Sequence, residues 1–145
     1  AEGRKCILGG VEIPSPKGLL GHSDADVLLH ALADALLGAA GLPDIGHFFP
    51  NTEERWRGVD SRVLLREVVA RLAHRGLFVG NVDLVIVAER PKIAPHLAKI
   101  KENLSADLRL GSERIGLKAT TNEKLGFVGR EEGIAAMATV LIYEA

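Results

Sequence analysis

The C-terminal stretch GIAAMATVLIYEA, Gly133 to Ala145, decides the architecture. Its strict alternation reads as a strand. Ile134, Ala136, Ala138, Val140 and Ile142 interleave with Ala135, Met137, Thr139, Leu141 and Tyr143, so both faces are largely apolar. A single layer of helices covers only one face of a sheet. The other face needs a cover of its own, and another subunit is the economical one; helices on both faces are the alternative.

Working back from this strand, the Gly-rich segment NEKLGFVGREE joins it to a second strand, RIGLKATT, and NVDLVIVAE reads as a third. Between these, Pro95 opens a helix in which Leu97, Ile100, Leu104 and Leu108 recur at helical spacing. A helix from Ser61 to about His74 turns Leu65, Val68, Val69 and Leu72 inward and stops at Gly76. KCILGGVEI reads as a hairpin around Gly9 and Gly10. The expected fold is one α+β domain over residues 1–145, a two-layer sandwich of a mostly antiparallel or mixed sheet with helices on one face.

Composition narrows the function classes. The 145 residues are 47% hydrophobic and 26% charged, which suits one soluble domain with a sizeable core. A net charge of -1 gives no broad field for a polyanion, so neither nucleic acid nor an acidic membrane is the expected partner. No apolar run reaches membrane-spanning length. Cys6, the single cysteine, excludes an internal disulfide and favours a reducing compartment, and a cytoplasmic location is expected, with an organelle-imported, processed chain as the alternative.

The stretch GHSDADVLLHALADALLG, Gly21 to Gly38, reads as a buried helix ending near Gly38 to Gly41, with Ser23 as its expected N-cap and Asp24 and Asp26 in its first turn. Asp26, His30 and Asp34 then stack along one edge of it. Ionisable groups in apolar surroundings are costly unless they are paired or hold a metal. His30 reads either as a metal ligand or as a hydrogen-bonded core histidine, and one ligand is not a zinc site. His22 and Ser23 at the expected helix start suit a phosphate. From Leu42 to Asp60 periodicity is lost, and Asp44, Gly46, Phe48 and Phe49 form either a ligand clamp or ordinary packing. Thr120, Thr121 and Glu123, at a strand end, suit a phosphate and a divalent cation or an ordinary polar turn. No Walker A, GxGxxG or GxSxG pattern and no catalytic Cys/His pairing is present.

Four motifs, HSDADVLLHAL, DIGHFFPNT, ERPKIAPH and KATTNEKLGFVGR, in this order and at these separations, closely resemble the 2-C-methyl-D-erythritol 2,4-cyclodiphosphate synthase family of the non-mevalonate isoprenoid pathway, over essentially the whole chain. The resemblance implies a homotrimer, with sheets facing its centre and active sites between adjacent subunits. It implies an intramolecular phosphoryl transfer in which the 2-phosphate of 4-diphosphocytidyl-2-C-methyl-D-erythritol 2-phosphate attacks the β-phosphate and expels CMP. Such a reaction needs positioning and charge neutralisation and no enzyme nucleophile.

Residue by residue, the resemblance makes His30 a zinc ligand and Glu123 the holder of a magnesium or manganese ion on the diphosphate. His22 and Thr121 match positions that stabilise the transition state, and Ser23 lies beside the substrate's phosphate end. Asp44, Ile45 and Gly46 match the segment holding the methylerythritol unit, flanked by Phe49, Pro50, Asn51, Thr52 and Glu53. Ala88, Glu89, Arg90, Pro91, Lys92, Ile93 and Ala94 resemble a cytidine pocket supplied by a neighbouring subunit together with Thr120, Thr121, Asn122 and Glu123. Phe127 and Arg130 match residues near the trimer axis, where the family can bind an isoprenoid diphosphate. Two features depart from the family pattern. Asn51 stands where an aspartate is common, and the Asp-x-His strand that carries the other two zinc ligands does not precede ILGGVEIP, so the 145-residue chain is expected to bind zinc poorly. A non-catalytic isoprenoid-diphosphate-binding module and a different metal-dependent phosphoesterase are the competing readings.

Overall fold

The structure, a computed structural model, describes residues 6–14, 26–50, 60–89, 92–121 and 133–145. Strands β1 (Cys6–Leu8) and β2 (Val11–Ile13) pair antiparallel as the expected hairpin. Gly9 and Gly10 turn it with φ of 58° and 76°. A side chain at either position would meet Ile100 or Arg62, so glycine is required both for conformation and for space.

Helix α1 runs Val27–Ala39. The expected N-cap Ser23 is corrected: the cap is Asp26, whose carboxylate accepts from Leu29 N–H at 3.1 Å. Both residues are good caps. Asp26 takes the role because its carboxylate also accepts from Gly9 N–H at 3.0 Å and Gly10 N–H at 2.8 Å, so one fully buried group satisfies the hairpin turn and the helix start together. His22 therefore does not sit immediately before the cap, and its own placement lies outside the described residues.

The loop after α1 contains a short helix, α2 (Ile45–Phe48), where periodicity predicts none; four residues are too few to show a period. Helix α3 (Ser61–His74) matches expectation, with Asp60 as its N-cap. Strand β3 (Leu77–Val87) begins four residues before the expected Asn81, because Gly76, at φ 75°, reverses the chain directly into the sheet and the register shift between Val79 and Asn81 takes up Gly80. After a 3-10 turn at Ala94–His96 comes α4 (Leu97–Leu108), then β4 (Ile115–Thr120) and β5 (Ala135–Glu144).

The sheet order is β4-β3-β5, with β4 parallel and β5 antiparallel to β3. The α+β class and the mixed sheet are as expected. Helix α1 packs on β5 and α3, while α3 and α4 pack on each other and on β3 and β4 respectively. The core is built from Leu28, Leu32 and Leu36 of α1, Leu65 and Leu72 of α3, Ile100 and Leu104 of α4, and Leu84 and Ile86 of β3, all fully or almost fully buried. Along β5, Ala136, Ala138, Val140 and Ile142 pack against this core, whereas Met137, Leu141 and Tyr143 are exposed on the other face. Among the described residues, no helix is long and apolar enough to cross a membrane.

Candidate functional site

The ionisable edge of α1 is resolved into three separate attachments. Asp26 holds the hairpin, as above. His30, half-buried, has its Nε2 3.1 Å from Oγ of Ser61, the buried first residue of α3. One turn further, Asp34 accepts from Ile45 N–H at 2.8 Å. That bond ties the start of α2 to α1. Asp44 caps α2, accepting from His47 N–H at 3.2 Å. The predicted residues His30, Asp44, Ile45 and Gly46 are thus held on one frame made by α1, α2 and the start of α3.

The end of α2 is fixed by stacking. Phe49 is buried, and its ring lies 6.4 Å from that of Phe48. The guanidinium of Arg71, from α3, stands 5.1 Å from both ring centroids. Its Nε is buried without a hydrogen-bond partner among the described residues, so the ring faces supply its electrostatic compensation. Pro50 follows at the end of the described segment.

A second group of predicted residues gathers at the carboxyl ends of two parallel strands. Ala88 N–H donates to the Thr120 carbonyl at 3.0 Å, which sets Ala88 and Glu89 beside Thr120 and Thr121. Such strand ends present free backbone groups to a ligand. Lys92 is exposed, Ile93 is buried, and Ala94 opens the 3-10 turn. Ile93 is thus an anchor for the segment rather than part of its open surface. His22, Ser23, Asn51, Thr52, Glu53, Arg90, Pro91, Asn122, Glu123, Phe127 and Arg130 lie outside the described residues.

Ser61 and Arg71 are the contributors that local pattern missed. Ser61 is separated from His30 by 31 positions, and nothing in helical spacing links them. For a metal, the described residues offer His30 as one nitrogen ligand. No group of three or more His, Cys, Asp or Glu side chains able to hold an ion occurs among them, so they do not by themselves form a closed site.

Comparison with known proteins bears on this geometry. Residues 1–143 match the YgbB family. The 2-C-methyl-D-erythritol 2,4-cyclodiphosphate synthase of Ralstonia pickettii (strain 12J) is 62% identical over 144 residues, covering 99% of this chain and 86% of that protein. A solved 2C-methyl-D-erythritol-2,4-cyclodiphosphate synthase in its CDP-bound form is 45% identical with a TM-score of 0.91, over 99% of this chain and 93% of that one. The bifunctional enzyme IspDF of Campylobacter jejuni is 40% identical with a TM-score of 0.94, over 100% of this chain and 39% of that one.

Proposed function

The chain belongs to the YgbB family, and from that premise we propose that it converts 4-diphosphocytidyl-2-C-methyl-D-erythritol 2-phosphate into 2-C-methyl-D-erythritol 2,4-cyclodiphosphate and CMP. It is a cyclodiphosphate-forming lyase of isoprenoid biosynthesis. An oxygen of the 2-phosphate forms a new bond to the β-phosphorus. The bond from that phosphorus to the bridging oxygen breaks, and CMP departs with the electron pair.

The observation that carries this reading is the Asp34 to Ile45 hydrogen bond of 2.8 Å. It ties the start of α2, where Asp44 to Gly46 would hold the methylerythritol unit, to the helix that carries His30. An intramolecular attack gains most from such fixed placement, since the barrier falls when attacker and leaving group are held in line. No side chain need act as nucleophile.

Ala88 to Ala94 hold the cytosine, chiefly through backbone groups at the strand ends, and Thr120, Thr121, Asn122 and Glu123 of the same subunit complete that subsite, which serves the active site of the adjacent subunit. His22, Ser23 and Thr121 orient the phosphates, and Phe49 to Glu53 flank the sugar alcohol. His30 would supply one ligand to zinc, the other two in the family being an Asp-x-His pair that the 145 residues do not include, and Glu123 would hold magnesium or manganese. Bound metals would neutralise charge on the diphosphate. The assembly is a homotrimer packed through the exposed face of β5, with Phe127 and Arg130 near its axis, where an isoprenoid diphosphate binds. Exposure of Met137, Leu141 and Tyr143 supports that arrangement.

The test follows CMP by chromatography and the cyclic product by phosphorus NMR, using the full-length protein. In protein carrying the Asp-x-His strand, His30→Ala is expected to lower turnover on the order of 100-fold or more and to lower zinc content in parallel. Binding of the substrate without CMP release would replace the reading with a non-catalytic module, and a linear phosphate product would replace it with a phosphoesterase.

A further inference from the structure

The segment assigned to the sugar alcohol has little structure of its own to hold it. Helix α2 is four residues long, and none of them is buried. Within it, His47 N–H donates to the Asp44 carbonyl at 3.2 Å and Phe49 N–H to the Ile45 carbonyl at 2.7 Å. A single helical turn is unstable by itself, because so few hydrogen bonds do not offset the fixing of its backbone. Helix α2 is therefore held from outside, and its two ends are held by different means. At the front, Asp34 of α1 accepts from Ile45 N–H at 2.8 Å. At the back stands Arg71 of α3.

The guanidinium carbon of Arg71 lies 5.1 Å from the ring centroids of both Phe48 and Phe49, whose planes are tilted 53° to each other. A flat cation stacked on two faces fixes the direction of both rings, which an aliphatic side chain of similar length does not do. The arrangement carries a cost. Arg71 Nε is buried with no hydrogen-bond partner among the described residues, and a buried donor left unsatisfied is destabilising. An arginine that merely covered apolar surface would lay its stem there and keep its nitrogens in water. The ring faces are thus the place this guanidinium is set to occupy, and what they carry is the end of α2. Phe49 is 6% exposed, and Pro50 follows it directly. The same helix, α3, meets His30 at its other end through Ser61.

We propose that Arg71 is a positioning residue of the cyclisation. Clamped on Phe48 and Phe49, it fixes the segment from Asp44 to Pro50 against the sugar alcohol, so that the 2-phosphate this unit carries stays in line with the β-phosphorus. The inference rests on the function proposed above. Arg71 acts through the two rings and not on the reacting atoms.

Two substitutions test this, both in protein carrying the Asp-x-His strand. Arg71→Met keeps the apolar stem and removes the flat cation. Phe48→Leu breaks the clamp from the other side and leaves α3 untouched, so it carries the test if the methionine variant does not fold. Amide hydrogen exchange of the peptide from Ile45 to Phe49 is expected to speed up about tenfold or more in each, with the peptide from Leu64 to Val68 of α3 unchanged. For CMP release, kcat should fall on the order of tenfold or more, because a small misplacement is costly to an in-line attack. CDP should bind in calorimetry as tightly as to the wild type, since the cytosine subsite stands on other elements. Unchanged exchange at Ile45 to Phe49 would overturn the clamp. Faster exchange with kcat unchanged, or with CDP affinity lost in equal measure, would overturn the positioning role. Failure of the wild type to release CMP would overturn the proposed function and this inference with it, whereas the preceding outcomes overturn this inference alone.

Discussion

The two faces of β5 carry residues of the same class and meet different surroundings. Ala136, Ala138, Val140 and Ile142 lie against the core beneath α1, whereas Met137, Leu141 and Tyr143 keep 58%, 62% and 52% of their surface in solvent. Phe78 of β3 extends that exposed face beside Tyr143. The difference teaches that alternation reports the polarity of a face and says nothing about what covers it. The inner face is satisfied within the subunit. The outer one stays exposed in the single subunit, and assembly is the cover proposed for it.

A charge placed on each face in turn sharpens that contrast most strongly. Val140→Asp sets a carboxylate against α1 and core side chains, where Val140 is partly buried, and is expected to cost several kcal/mol, a large share of the stability of a domain of this size. Leu141→Asp, one residue away, faces outward. Its subunit should retain its far-ultraviolet circular dichroism while the sedimenting mass falls from trimer to monomer. A Leu141→Asp protein that sediments as a trimer would place the subunit contact elsewhere.

A smaller effect is expected at Asp26, where the same question, what covers a polar group, has an answer inside the subunit. Its carboxylate accepts three backbone N–H groups, from Gly9, Gly10 and Leu29. Asp26→Ala leaves all three without their acceptor and should cost about 3 kcal/mol in urea unfolding. A loss below about 1 kcal/mol, the worth of a simple helix cap, would mean that the hairpin does not depend on this residue.

These residues also mark what was legible in the sequence. Periodicity located α3, α4 and β5 because a long element repeats its pattern often enough to be seen. It chose the wrong cap for α1, because Ser23 and Asp26 are equivalent locally and the choice rests on a turn 16 and 17 positions away. In the candidate site, His30 and Asp44 were legible as chemistry-bearing residues in a helix and in an aperiodic loop. Ser61 and Arg71 were not. A serine at a helix start and an arginine on a helix are ordinary, and only the tertiary fold sets them against His30, Phe48 and Phe49. Asn103 is a further case: its Nδ2 donates to the Gly9 carbonyl at 2.9 Å across 94 positions, a contact no local pattern announces.

The smallest effect is expected inside the hairpin, at Cys6, which is 2% exposed. Burial pushes its thiol above the ordinary value of 9.0, and the nearby Asp26 carboxylate pushes in the same direction, because both disfavour a thiolate there. In the unfolded chain the thiol ionises at its ordinary value. Between that value and the higher native one, the unfolded state has released a proton that the native state still holds, so unfolding is favoured as pH rises. The Cys6 contribution is therefore fully present below about pH 9 and is lost as pH rises through the native value. One such group changes stability by at most about 1.4 kcal/mol per pH unit. Other groups titrate in the same range, so the contribution is read as a difference between two proteins. Urea unfolding of the wild type and of Cys6→Ala between about pH 8 and pH 10.5 should give a steeper alkaline decline in the wild type, whatever constant offset the lost sulfur adds. Parallel declines would mean that the thiol titrates alike in both states, and that the inner face of the hairpin is open to water.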